Sequence, residues 1–170
     1  PDSLPKNVNW KKLASGDMED VLKQVFGEKY HDFKKTVQVE KMGARSLRVN
    51  GESMECKAYR ITWSSKALHN LLTPGGGSGI LKDFTGLLNS IIPEVEPDCL
   101  VYVNKDGYLV AVDYVSMGAQ CLFVLEGQEN PWEQFSLTVK SLYGDTVVYN
   151  GGAQKIGSIM RVYLENQNER

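Results

Sequence analysis

Few residues in this chain have types and spacings that suggest chemistry. The stretch Thr73-Pro74-Gly75-Gly76-Gly77-Ser78-Gly79 precedes an apolar helical pattern. A glycine-rich loop feeding a helix N-terminus offers free backbone N–H groups to an anion such as phosphate. The pattern is incomplete for that chemistry. A nucleotide-binding loop of the Walker kind needs Gly-Lys-Ser/Thr, whereas Gly79 is followed by Ile80 and Leu81. A dinucleotide loop needs a strand before it, and a leucine-rich helical segment stands there instead. The loop is read as a mobile connector, with a lid over a cavity as the functional alternative.

Nucleophile and metal chemistry have little material. Two histidines and three cysteines are present. His31 and His69 fall on helical segments with different neighbours, no Cys-x-x-Cys pair exists, and no ligand spacing points to a metal. No metal or cofactor is expected. Cys56, Cys99 and Cys121 are widely spaced and odd in number, which excludes a small disulfide scaffold and leaves room for one bridge. The simpler reading is three isolated buried thiols. No Gly-x-Ser-x-Gly elbow surrounds Ser116, Ser136 or Ser158. The carboxylates are scattered: Glu94 and Glu96 flank Val95 in a predicted loop, and Asp113 stands in a predicted strand. An enzyme of cystatin-like α+β topology would draw first on His69, Cys56 and Asp113.

The aromatic residues carry more information. Tyr102, Tyr108, Tyr114, Phe123, Trp132, Phe135, Tyr143, Tyr149 and Tyr163 all fall in the C-terminal, strand-rich part. Cross-strand aromatic pairing explains them as sheet structure. An apolar cavity between sheet and helices explains them as a binding site, because such pockets have mostly apolar walls and few polar groups.

These residues must be held by elements that the sequence also marks. Asp17 caps a predicted helix over 17–36, with apolar residues at helical spacing and a break at Gly27. From about residue 38 the period becomes two, and Asn50-Gly51 is a hairpin signal. The spacing predicts a strand over 54–63, with Tyr59, Ile61 and Trp63 on one face. Ser64 or Ser65 caps a short helix containing Leu68, Leu71 and Leu72. A second amphipathic helix covers 80–92 and stops at Pro93. Strands follow at 99–104 and 107–116 around the turn Asn104–Gly107, with Tyr108, Val110, Val112 and Tyr114 expected on one face. Further strands cover 119–126, 135–140 and 146–150. Asn150-Gly151-Gly152 is read as a turn, and Met160, Val162 and Leu164 alternate in a last strand. Consecutive strands with short turns make an antiparallel meander. The expected fold is α+β: a curved, half-barrel-like antiparallel sheet packed against two or three helices.

At 170 residues, the chain has the length of one domain. Residues 1–16 read as an irregular tether, 17–165 as a single α+β domain and 166–170 as a polar tail. Hydrophobic residues make up 42% and the net charge is −2. Disorder as the main state is excluded by that balance, and no basic stripe marks a nucleic-acid partner. No run of 18 apolar residues forms a transmembrane helix. The start at Pro1, not Met, reads as that of a processed or trimmed form.

Residues 45–72, Arg-Ser-Leu-Arg-Val-Asn-Gly-Glu-Ser-Met-Glu-Cys-Lys-Ala-Tyr-Arg-Ile-Thr-Trp-Ser-Ser-Lys-Ala-Leu-His-Asn-Leu-Leu, run strand, Asn-Gly turn, strand, helix. This segment resembles one common in extracytoplasmic lipoproteins of Gram-positive, often gut-dwelling, bacteria. The stretch Val101-Tyr102-Val103-Asn104-Lys105-Asp106-Gly107-Tyr108-Leu109-Val110 is similar to the strand pair that follows the helices in those proteins. They in turn resemble the lipoprotein-carrier class (LolA- or LppX-like), in which a curved antiparallel sheet wraps helices around a hydrophobic cavity. The resemblance implies an extracytoplasmic domain, anchored to the membrane through an N-terminal lipidated cysteine that would have been trimmed from this sequence. It carries over no catalytic residue.

The expected function is therefore non-catalytic: an envelope domain binding a lipid or other hydrophobic small molecule, or an envelope protein partner, in the concavity of the sheet. The expected lining is Phe84, Leu88 and Ile91 from the helix, with Tyr102, Tyr108, Val110, Val112 and Phe123 from the strands. The tyrosine hydroxyls would orient a polar head group. A protein-interaction module with a filled core is the rival reading, and the small enzyme is the third.

Overall fold

The computed structural model describes residues 27–72, 95–127, 133–157 and 159–167. The lead-in 1–16, most of the predicted first helix, the glycine loop 73–79 and the predicted helix 80–92 lie outside the described residues. Two helices are described, α1 (Lys29–Thr36) and α2 (Ser65–Leu72). Among the described residues there are eight strands: β1 (Gln38–Val49), β2 (Glu52–Thr62), β3 (Val95–Val103), β4 (Leu109–Ser116), β5 (Ala119–Leu125), β6 (Phe135–Lys140), β7 (Thr146–Ile156) and β8 (Ile159–Asn166). They form one open antiparallel sheet in sequence order, β1 to β8. The α+β class and the meander are as the sequence predicts.

The local signals explain the turns. Gly27, at φ +63, precedes α1. Asn50 and Gly51 adopt φ +52 and +78, the left-handed pair that a two-residue hairpin requires. Ser64 caps α2, its Oγ accepting from the Ala67 N–H at 3.2 Å. Its own N–H donates to Thr36 Oγ1 at 3.2 Å, which ties the start of α2 to the end of α1. Between β3 and β4, Asn104 Oδ1 accepts from the N–H groups of Asp106 and Tyr108, each at 3.0 Å.

Four details differ from the sequence reading. Val95 and Glu96 begin β3 instead of lying in a loop. Asn150-Gly151-Gly152 is not a turn but the middle of β7. The two glycines are there for close approach: a Cβ on Gly151 would meet the Phe135 ring at 2.6 Å, and one on Gly152 would run into the Glu133 carbonyl. The chain reverses later, near Gly157 at φ +61. The stretch read as a polar tail begins inside the sheet, since β8 runs to Asn166 and the Gln167 N–H donates to Val148 O at 2.9 Å; residues 168–170 lie outside the described residues.

The fourth difference decides which side chains share a face. Tyr102 pairs with Ala111 but Val103 pairs with Leu109, so Val110 is the extra residue of a β-bulge. A bulge breaks the two-residue alternation. Val110 joins Ala111 in the buried cluster, whereas Val112 pairs onto the other face. The expectation that Tyr108, Val110, Val112 and Tyr114 form one face is corrected accordingly. A second bulge at Met42, beside Gly43 at φ +87, interrupts β1.

Directly paired residues lie on the same face of a sheet, so the register assigns both faces. One carries Cys56, Ala58, Tyr102, Ala111 and Val124. Its core cluster also takes in Val49 and Val110, with Leu47, Met54, Leu100 and Leu122 packed around it. Ala58 and Ala111, 1% and 0% exposed, are small residues inside this cluster. The β1–β2 tip reaches the far end of β5, where the Asn50 side-chain amide donates to Glu126 O at 2.6 Å.

Candidate functional site

The opposite face is the more continuous apolar surface. One row crosses six strands as Tyr59, Val101, Val112, Phe123, Leu137 and Tyr149. The next row runs Ile61, Cys99, Tyr114, Cys121, Val139 and Val147. All twelve are apolar or aromatic. Val101 and Cys121 are buried and the other ten are half-buried. On the core face the row through Ala58, Tyr102, Ala111 and Val124 turns polar at Ser136 and Asn150. The rings of Phe123 and Phe135 lie 5.1 Å apart between centroids, a distance at which tilted rings attract.

The residues expected to line one cavity are distributed over both faces. Tyr102 and Val110 belong to the filled core cluster, at 6% and 5% exposure. Val112 and Phe123 are direct partners on the apolar face. Tyr108 is exposed at the β3–β4 turn. Phe84, Leu88 and Ile91 lie outside the described residues. Sequence reasoning passed over Tyr59, Leu137 and Tyr149 as site residues. Their alternation was visible, but only the register aligns them with Phe123.

Tyr102 is a core residue with a polar end. Burial, and then the Asp113 charge, push its hydroxyl up, against the pull of the positive charge of Arg45. On the other face, burial raises Tyr114, and the neighbouring Cys121 adds to the rise.

The thiols have the environment of structural cysteines. All three are free. Cys99 and Cys121 both face Tyr114 from opposite sides, two strand spacings apart or about 9.5 Å, too far for a disulfide. Burial raises Cys56 and Cys121, and burial with Asp98 and Asp113 nearby pushes Cys99 up to about 11. Relative to an ordinary thiol at 9.0, Cys99 holds roughly 100-fold less thiolate at pH 8, and thiolate is the reactive species. Thiol titration with a chromogenic disulfide is expected to label Cys99 of the native chain at least tenfold more slowly than the same residue in urea.

The enzyme grouping His69, Cys56 and Asp113 is not assembled as a unit. The register puts Cys56 and Asp113 four residues along and two strands across, about 16 Å by strand geometry. Asp113 instead faces Gln120, whose Nε2 is 3.4 Å from both carboxylate oxygens. His69 is exposed on α2. Among the described residues no group of three or more His, Cys, Asp or Glu side chains could hold a metal ion.

One ion pair links β2 to β3. Arg60 grips Asp98 with two nitrogens, Nε lying 3.0 and 3.1 Å from the carboxylate oxygens. The Arg60 hydrogen bonds hold the Asp98 carboxyl below its ordinary 3.8. Its stabilisation is complete above that unfolded-state value and is lost as pH falls through the lower folded value. Both partners are well exposed, so the contribution is small. Asp98→Asn is expected to flatten the fall in stability below pH 3.8 while leaving its neutral-pH slope unchanged, as read by urea midpoints across pH.

Among the described residues no helix is long and apolar enough to cross a membrane. No protein-family model, curated protein or solved structure matches this chain.

Proposed function

We propose that this chain is a non-catalytic domain of the bacterial cell envelope that binds a hydrophobic or amphipathic ligand. The ligand lies against the apolar face of a curved, half-barrel-like sheet on which two or three helices pack. The observation that carries the reading is the half-buried apolar row from Tyr59 through Phe123 to Tyr149. Mostly apolar walls with a few convergent polar groups are what small hydrophobic ligands require. The hydroxyls of Tyr59, Tyr114 and Tyr149 are the polar handles of this face. Curvature is supported by Asn50 reaching Glu126 and by the near-zero exposure of Ala58 and Ala111. The envelope location and lipid anchor rest on the resemblance of residues 45–72 and 101–110 to lipoproteins.

Native mass spectrometry of freshly purified protein, with organic extraction, tests the reading. A stoichiometric lipid that is retained by the wild type and lost from Phe123→Asp supports it. A clean apo mass that added lysolipid or fatty acid does not shift counts against it. The result would then favour the interaction module, which one observation supports. Met117, Leu142 and Tyr143 are 77%, 81% and 94% exposed at neighbouring hairpin tips, where Leu142 lies against Gly118.

A further inference from the structure

The two edges of the sheet are built differently. Edge strands present unpaired N–H and C=O groups, and proteins blunt them with bulges and charges. β1 has both devices: the Met42 bulge, and Glu40, Lys41, Arg45 and Arg48 along its length. β8 has neither Pro nor Lys, and its pairing with β7 runs without a register shift from Ile156↔Ile159 to Tyr149↔Asn166. Its apolar side chains are largely open to solvent, with Ile159 at 69%, Val162 at 67% and Leu164 at 55% exposure.

We propose that β8 is the pairing edge for a second copy of this chain, joined antiparallel about a two-fold axis through Tyr163. Charge complementarity sets the register. A two-fold axis perpendicular to the sheet keeps faces matched, so only residues of like parity can oppose one another. With Tyr163 opposite Tyr163 of the second copy, Arg161 meets Glu165 twice and Val162 meets Leu164 twice. Arg161 and Glu165 share one face, are exposed, and have no ion-pair partner among the described residues. An axis through Arg161 or Glu165 would oppose like charges, and an axis through Val162 or Leu164 would set Tyr163 opposite one of those charges. Opposite charges directly across strands attract and like charges repel, so the register through Tyr163 is selected.

Charge exchange tests this in the full chain by sedimentation equilibrium. The wild type is expected to be a dimer. Arg161→Glu sets two carboxylates across from one another at both charge pairs of the dimer, and Glu165→Arg sets two guanidinium groups there. Each variant alone is expected to associate at least tenfold more weakly. An equimolar mixture of the two variants restores every opposite-charge pair and is expected to recover wild-type association. That recovery also shows that both variants are folded. A monomeric wild type, single variants that stay dimeric, or a mixture that stays monomeric would each overturn the proposal.

Discussion

Replacing Tyr102 by alanine is expected to cost about 3–5 kcal/mol of unfolding free energy, the range for truncating a buried large aromatic side chain. The ring is 6% exposed and packs in one cluster with Cys56, Ala58, Val110, Ala111 and Val124. Those neighbours are small or branched and come from β2, β4 and β5, which are fixed by their own hydrogen bonds, so the cavity has little scope to collapse. A domain of this size is stable by roughly 5–15 kcal/mol in total, so the loss is a large share of it. Tyr102→Phe keeps the ring and removes only the hydroxyl, which feels the Arg45 charge, a loss of about 1 kcal/mol. Urea unfolding of the three proteins, with slopes compared to check that the transition is unchanged, measures both values. The pair separates two roles for this tyrosine. A core residue loses stability on truncation; a ligand contact would lose binding while the chain stayed stable. The position of Tyr102 inside the cluster decides for the first.

A methyl group on Gly152 should cost about 3 kcal/mol, at the upper end of the overpacking range. Its Cβ would press into the Glu133 carbonyl and stand 2.8 Å from the Tyr163 hydroxyl. A backbone carbonyl cannot turn aside as a side chain can, so the connection from β5 to β6 must move or β7 must shift away from it. Gly151→Ala meets the Phe135 ring and the Tyr163 carbonyl at 2.6 Å and is expected to be comparably harmful. Gly51→Ala provides the contrast. At Gly51 a Cβ has nothing within 4 Å, and the cost comes only from φ +78, about 1 kcal/mol. Thermal and urea unfolding of the three alanine variants should rank Gly152 and Gly151 well above Gly51. A Gly152 variant as stable as the wild type would show that β7 and the Glu133 carbonyl are not in close contact.

The apolar row from Tyr59 to Tyr149 was legible only in pieces. Each strand shows its own alternation, and Val112, Phe123 and Leu137 are recognisable as apolar positions of separate strands. Their alignment into one surface depends on five pairings, none of which is written locally. The eight expected lining residues show the same limit. Tyr102 and Phe123 look alike as aromatic residues in strands, yet the register sends them to opposite faces.

What the sequence determined by itself is what short-range physics controls. Asn50-Gly51 specified a hairpin because few other dipeptides accept two positive φ angles in succession. Ser64 specified a helix start because its hydroxyl satisfies an N–H that the helix leaves free. Period-two alternation placed the strands, and short turns made them antiparallel neighbours, which together fixed the α+β meander. Tertiary structure decided the faces. One inserted residue at Val110 redirects the alternation of β4, and that insertion exists only relative to the strand beside it. It also decided the meaning of Gly151-Gly152, which a linear reading takes as a turn. There the absent side chains make room for Phe135 and Glu133, which the fold brings in from a neighbouring strand and its approach, and no local rule reports what will press on a glycine from across a sheet.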